Sequence, residues 1–322
     1  FFIMLLQINY SRRSKPEKIF PNNLQVNYSP QQSLTIKPSD DPFIFPINPQ
    51  FLMFTDLSQN IQQSGNASCL TTQTLMFGQH QLFFCLYRYA PLPAVQLQIP
   101  RLMGHRGCGS NKKNRFLNLP AENSIESFQA AAQKVQSIEL DIIATLDKQL
   151  VINHNFLHQK TLINKVNKEK LHLPTIQEVF AAIPQDTVVD VEIKYPREEG
   201  VDYLERAELM QLIRQQIQRE NIFFSSFDPM LCLLLKELGK EVYFINCGLN
   251  RFSNKIYHNV NKGIEFCNQH DMGFSVMGAS VKMFPEVQKF SGKLLIWRVN
   301  FGDTKLQEKY EGKAVLIVDK LK

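Results

Sequence analysis

Ser137-Ile138-Glu139-Leu140-Asp141-Ile142-Ile143-Ala144-Thr145 is an apolar run of strand length interrupted by two carboxylates. Residues at i and i+2 of a strand share a face, so Glu139 and Asp141 converge on one side while Leu140 faces the other layer. The next residues, Leu146-Asp147-Lys148-Gln149, are too few to cross over to a parallel neighbour. Leu150 to Asn155 must therefore return antiparallel as a hairpin, which carries His154 back beside Asp141. Two acids on one strand face with an imidazole alongside are hard to explain as packing.

Outward from this hairpin, apolar strands alternate with helical patterns. Strands are expected at 101–106, 137–145, 188–194, 221–227, 241–247, 273–279, 294–300 and 314–319. Helices are expected at 122–134, 175–183, 204–219, 229–238, 258–269, 283–290 and 304–311. The third helix shows the pattern well, with Leu209, Leu212, Ile213 and Ile217 at helical spacing and Glu and Gln opposite. Eight strands with seven helices alternating between them predict an α/β protein with a (β/α)8 TIM barrel. The chain stops a few residues after the eighth strand, so the barrel is expected to lack its last helix. Residues 1–98, rich in Gln, Asn, Pro and Ser without a helical period, are expected to form a small β-rich or irregular N-terminal segment ahead of a barrel domain at 99–322. Its clearest strand runs from Gln81 to Tyr89, closed by Pro91 and Pro93.

Composition narrows the functions available. A chain of 322 residues holds one barrel and an additional piece. The formal charge of +6 is spread without a basic block, which suits an anionic small molecule and argues against nucleic acid. Cys69, Cys85, Cys108, Cys232, Cys247 and Cys267 show no metal-type spacing and read as free thiols of a reducing, cytoplasmic compartment. The opening Phe1-Phe2-Ile3-Met4-Leu5-Leu6 is far short of the ~20 apolar residues a spanning helix needs, so no transmembrane segment is expected. Sequons at Asn9, Asn27 and Asn66 carry little weight without a secretion signal. Oligomeric state is not legible.

Barrel enzymes place their chemistry at the carboxyl ends of the strands, and His105, Glu139, Asp141, Glu192, Phe227, Trp297 and Asp319 all fall near such ends. Singly, a carboxylate there reads more readily as a solvated loop charge or a helix cap. Seven chemistry-bearing residues gathered at the ends of six strands do not. Glu192, in Val188-Val189-Asp190-Val191-Glu192-Ile193-Lys194, supplies a third acid beside Glu139 and Asp141. Three carboxylates without a cysteine ligand favour one hard divalent cation, Mg²⁺ or Ca²⁺, over zinc.

Taken together, Gly104-His105-Arg106-Gly107, Glu122-Asn123-Ser124, Glu139-Leu140-Asp141, His154-Asn155, Glu192-Ile193-Lys194, Phe224-Ser225-Ser226-Phe227-Asp228-Pro229, Ile296-Trp297 and Ile317-Val318-Asp319 resemble, in order and spacing, the catalytic domain of the glycerophosphodiester phosphodiesterase family. The likeness runs from about residue 100 to the end, and Gly104 to Asn111 is most similar to the eukaryotic branch that acts on glycerophosphocholine. The resemblance implies metal-dependent hydrolysis of glycerophosphodiesters, such as glycerophosphocholine or glycerophosphoethanolamine, to sn-glycerol 3-phosphate and an alcohol. It also implies that residues 1–98 are the remnant of an accessory β domain. Breaking a phosphodiester takes one proton from the nucleophile and gives one to the leaving alkoxide. The resemblance gives those tasks to His105 and His154, without saying which takes which. Arg106 offers a fork for phosphate oxygens, and Lys194 either a point charge for the substrate or an ion pair within the site. Phe227 and Trp297 read as an apolar wall for the alcohol group, against core packing as the bland alternative. Glu122 and Asn123 open a helix, where capping is the plain reading, and in the family they also face the site. His80, His158, His172, His258 and His270 lack such neighbours and read as surface or structural.

Three departures stand out. Asn155 replaces the family's aspartate, Arg298 follows Trp297 where threonine is common, and the segment from Phe156 to Leu173 is shorter than the insertion of many bacterial members. A lysophospholipase of the D or C type, or a catalytically impaired member that binds phosphodiesters, are the alternative readings.

Overall fold

The computed structural model describes residues 92–111, 118–196, 203–248, 259–300, 308–319 and 321, together with the strand backbones before residue 90. The chain divides into two compact units, Phe1–Pro91 with Pro196–Met210, and Leu92–Tyr195 with Gln211–Lys322. In the first, β1 (Ile3–Tyr10), β4 (Phe45–Ile47), β5 (Cys69–Phe77) and β6 (His80–Tyr89) form an antiparallel sheet in the order β4-β1-β6-β5, while β2 (Leu24–Ser29) and β3 (Gln32–Pro38) pair as a separate hairpin. The strand expected at 81–89 is β6.

The second unit is a closed barrel. Its strands are β7 (Leu102–Gly104), β8 (Ser137–Ala144), β12 (Val188–Ile193), β13 (Ile222–Ser226), β14 (Val242–Asn246), β15 (Gly273–Met277), β16 (Leu294–Asn300) and β17 (Ala314–Asp319), each parallel to its neighbours. The pairings of β17 with β7 and of β8 with β12 leave no free edge. All eight strands lie within the ranges expected from sequence, because parallel strands buried on both faces announce themselves as continuous apolar runs. The hairpin is there too: β9 (Leu150–Ile152) pairs antiparallel with β8, Ala144 opposite Leu150 and Ile142 opposite Ile152. Its turn is locked by Thr145 N donating to Gln149 O at 2.9 Å and by the Thr145 hydroxyl donating to Asp147 at 2.5 Å. Two short strands, β10 (Leu157–His158) and β11 (Thr161–Leu162), follow as a second small hairpin.

Helices run between the strands. They are α1 (Ile125–Ala132), α2 (Ile176–Ala182), α3 (Arg206–Gln216), α4 (Pro229–Leu235), α5 (Val260–His270), α6 (Gly278–Met283) and α7 (Glu286–Lys289). Their starts follow capping chemistry: Ser124 accepts from Ser127 N, Thr175 forms a capping box with Glu178, and Asp228 accepts from Leu231 N ahead of Pro229. The single helix expected at 283–290 is instead α6 and α7, because α6 starts directly at the end of β15 and Pro285 separates the two. Of the helix expected at 304–311, residues 304–307 lie outside the described residues.

Inside the barrel the side chains stack in layers. The lowest is apolar, formed by Met103, Val188, Phe223, Tyr243, Leu295 and Ile317, with Leu97 and Ile99 packed against it from below. Full burial of each such side chain stabilises the fold by roughly 1.5–3 kcal/mol. Two residues further along the same strands, and so on the same inner face, stand His105, Asp190, Ser225, Trp297 and Asp319. One alternation above an oily floor, the barrel turns polar.

Candidate active site

The barrel's register assembles the acids. In the β8–β12 pairing Glu139 lies opposite Asp190, and Asp141 opposite Glu192. Ligand oxygens of Glu139, Asp141 and Glu192 all come within 4.8 Å of one another. Glu139 and Asp141 are buried, and Glu192 is half-buried. The strand spacing thus brings the three sequence-predicted acids close enough to hold one ion between them.

Their electrostatics are unresolved by the protein alone. Burial, together with the charges of Asp141 and Glu192, pushes the Glu139 carboxyl well above the usual carboxylate range. Glu192 is raised by burial against the opposing pull of Lys194. Asp141 goes the other way: burial alone would raise it, but Lys194 and Arg106 outweigh burial and hold it far below its ordinary value. Lys194 sits between two acids, with Nζ 2.7 Å from Asp141 Oδ1 and in contact with Glu192 Oε1. This is the internal ion pair that the sequence left as the alternative to substrate contact. Glu139 Oε1 remains buried and accepts no hydrogen bond. A cluster with an orphaned carboxylate oxygen and a displaced proton equilibrium has the donor set that a hard divalent cation needs.

Gly104 to Gly107 wraps around these acids as a left-handed turn. Arg106 has φ +50° and Gly107 φ +83°. A Cβ on Gly107 would lie 2.4 Å from Ser127 Oγ and 2.7 Å from the Ser127 carbonyl carbon, so only glycine fits there. The turn aims Arg106 N at Glu139 Oε2, 2.8 Å away, and lets Arg106 O accept from Asn123 N and the Ser127 hydroxyl, both at 3.1 Å. The Arg106 guanidinium lies 3.2 Å from Glu122 Oε1 and 3.3 Å from Asp141 Oδ2. Asn123, itself left-handed at φ +59°, donates from its amide to Asp141 Oδ2 at 2.8 Å. Glu122 and Asn123 therefore brace the arginine and the central aspartate, beyond merely opening α1.

The two imidazoles are held differently. His105 is buried, with Nδ1 2.5 Å from Asp319 Oδ1 and Nε2 3.9 Å from Glu139 Oε2. Burial lowers its pKa, and the Asp319 hydrogen bond works against that shift. His154 stands at the root of the β8–β9 hairpin, where Asn153 N donates to Asp141 O at 3.0 Å. Its Nδ1 lies 3.0 Å from Asn155 Oδ1. Burial and the nearby Lys194 hold it down to about 3, against the opposing charge of Asp141. An amide oxygen can only accept, so Nδ1 carries the hydrogen and Nε2 keeps its lone pair.

Phe227 and Trp297 meet edge to face, with ring centroids 6.5 Å apart. The β16 register shifts between Ile296 and Val299, and within that bulge Arg298 takes φ +58° and lays its guanidinium 5.4 Å from the Trp297 ring centre. One partnership and one residue escaped the sequence. Asp319 reads as a strand-end acid of the site, but its contact with His105 spans 214 residues and exists only because β17 closes onto β7. Asp190, level with Glu139 on the neighbouring strand, accepts from the Ser225 hydroxyl at 2.7 Å and is pushed well above the carboxylate range by burial. Its neighbour two positions on, Glu192, drew the attention first.

Residues 105–166 match the profile of the Glycerophosphoryl diester phosphodiesterase family. This span holds His105, Arg106, Glu139, Asp141 and His154. Among solved structures, the barrel is similar to a glycerophosphodiester phosphodiesterase from Thermotoga maritima, at 20% identity and a TM-score of 0.51, covering 70% of this chain and 96% of that one. A second similar structure is a glycerophosphodiester phosphodiesterase from Parabacteroides distasonis, at 18% identity and a TM-score of 0.52, covering 68% and 92%. At such identities these structures speak to the fold. The matched segment, residues 105–166, is thus similar to the glycerophosphoryl diester phosphodiesterase family, and it contributes most of the residues gathered in this site.

Proposed function

We propose that this chain hydrolyses glycerophosphodiesters, with glycerophosphocholine or glycerophosphoethanolamine as representative substrates, releasing sn-glycerol 3-phosphate and an alcohol. The observation that carries the reading is the meeting of three carboxylates and two imidazoles on strands far apart in sequence. Glu139, Asp141 and Glu192 would hold one divalent cation, Mg²⁺ or Ca²⁺, which when bound supplies charge neutralisation at the diester oxygens. Arg106 orients the phosphate, and Phe227 with Trp297 walls the alcohol side. His154, kept neutral beside Lys194, takes the proton of the attacking water or glycerol 2-hydroxyl. His105, backed by a carboxylate, is the better keeper of a positive charge and delivers a proton to the departing alkoxide. Four cysteines among the described residues, Cys108, Cys232, Cys247 and Cys267, are free and buried, which supports a reducing, cytoplasmic setting. We also place the start of the catalytic domain near residue 99, with the preceding β-rich part as an accessory domain.

The test is release of glycerol 3-phosphate from glycerophosphocholine by the full chain. Activity that EDTA abolishes, that Mg²⁺ or Ca²⁺ restores, and that falls by about 10²–10⁴ in His105→Ala is the expected result. Undiminished turnover in His105→Ala would remove the reading.

A further inference from the structure

Among the described residues, Leu92, Val95, Leu146, Leu157, Leu162 and Met283 are large apolar side chains left exposed. Leu92 and Val95 belong to the segment bonded under the barrel, where Val95 N donates to Gly239 O. Three of the others share one short stretch at the opposite end. Leu146 lies in the turn beyond the carboxyl end of β8, and Leu157 and Leu162 face each other across the β10–β11 hairpin. Cross-strand partners project from the same side, so the two leucines form one exposed pair. Turn and hairpin are tied together, since Leu146 N donates to Val166 O and Lys168 N to the Asp147 carboxylate, both at 3.0 Å. They make a single ledge on the mouth end of β8, and His154 stands at its root.

The ledge is also cationic on balance. The turn and the stretch from 156 to 170 carry Lys148, Lys160, Lys165, Lys168 and Lys170 against Asp147 and Glu169. Lys168 reaches Glu178 at 3.4 Å, while Lys160 and Lys165 stand exposed. Lys160 occupies the hairpin tip with Gln159, at φ +69° and +48°, a two-residue turn that glycine or asparagine would fit with less strain. A cation is kept at the tip where the backbone would favour a smaller residue.

We propose that this ledge docks the mouth of the barrel onto an anionic lipid surface and so offers the site glycerophosphodiesters that still carry an acyl chain. The choice of substrate rests on the hydrolase reading above; the docking does not. Leucines that enter the acyl boundary, with lysine stems lying beside them and their charges at headgroup depth, are the arrangement an interfacial surface needs. Each lysine near an anionic surface adds about fivefold to binding. A protein partner would ask for a wider apolar patch than a pair of leucines and a turn.

The experiment sediments the full chain with phosphatidylcholine vesicles, with and without phosphatidylserine, at low and high salt. Binding to the anionic vesicles at least about tenfold tighter than to the neutral ones, and weakened by salt, is expected. Leu157→Glu combined with Leu162→Glu should lose about tenfold or more of that binding, and hydrolysis of vesicle-borne lysophosphatidylcholine with it, while turnover of dissolved glycerophosphocholine stays unchanged. Lys160→Glu, at the exposed tip, tests the same surface without touching packing, and should lower anionic binding while sparing the dissolved substrate. Wild-type chain that ignores anionic vesicles, or variants that bind them equally, would overturn the docking. Vesicle binding without hydrolysis of any diester would leave the docking standing and remove the substrate.

Discussion

The barrel buries a glutamate at each end, and the two are treated in opposite ways. Glu241, below the apolar layer, is 5% exposed and fully satisfied: it accepts from Leu97 N at 2.9 Å and from the Tyr243 hydroxyl at 3.2 Å, and Lys293 Nζ closes on it. Glu139, above that layer, is 3% exposed, keeps an oxygen that accepts no hydrogen bond, and shares its space with Asp141 and Glu192. Burial is the same, so burial does not separate structure from function here. What separates them is whether the protein supplies the counter-charge. At the floor it does, and the acid fastens the entering chain to the barrel. At the mouth the positive charge of Arg106 and Lys194 falls short of three acids, and the deficit is what a divalent cation would fill.

The largest expected effects come from exchanging each glutamate for its isosteric amide. Glu139→Gln should cost roughly a thousandfold in hydrolysis, the several kcal/mol that a bound cation supplies, yet leave the cation-free protein as stable as wild type or more so. Glu241→Gln should do the reverse, sparing turnover while losing about 1–2 kcal/mol, as the buried acceptor of Leu97 N and the Tyr243 hydroxyl loses its charge and the half-exposed Lys293 loses its ion pair. Thermal melts and glycerol 3-phosphate release on both variants would check this, and a Glu241→Gln protein that is stable but inactive would break the contrast.

A smaller effect sharpens it through pH. Because Glu139 holds its proton more tightly folded than unfolded, the folded state binds more protons above the unfolded glutamate value of ~4.5, and its contribution to stability declines as pH rises through that window. His154, lowered to about 3, acts with the opposite sign between about 3 and the ordinary 6.5, where the unfolded chain takes up a proton that the folded one refuses. The two slopes offset each other in wild type, so the informative quantity is a difference. The melting temperature of Glu139→Gln minus that of wild type, without divalent cation, should grow as pH rises above ~4.5 and shrink when Mg²⁺ or Ca²⁺ is added. A flat difference would mean that the mouth acids are not in conflict.

The mildest expected effect concerns the residue beside His154. Asn155→Asp places a carboxylate where an amide oxygen now meets Nδ1, and should raise the His154 pKa by about one unit. The acid limb of the kcat/KM profile should then move to higher pH. An unmoved limb would take His154 out of the base role.

The strands were legible because each is a run of apolar residues long enough to cross the barrel, and the i, i+2 rule carried Glu139 and Asp141 to one face without coordinates. The hairpin was legible from four residues too few for a crossover. Partnerships made by barrel closure were not: Asp319 meets His105 across 214 residues, and Glu241 meets Leu97 across 144. Nor was the split between α6 and α7, where a helix begins at the strand end without a capping side chain to announce it. Local pattern specifies each element and the face of each side chain, while counter-charge depends on which strands become neighbours.

The most direct measurement is a calorimetric titration of Mg²⁺ or Ca²⁺ into the metal-stripped full chain and into Glu139→Gln. The account predicts one site per chain, accompanied by proton release near neutral pH as the raised Glu139 and Glu192 carboxyls ionise, and lost or severely weakened in the variant. Absence of binding by the wild type, or equal binding by the variant, would contradict it.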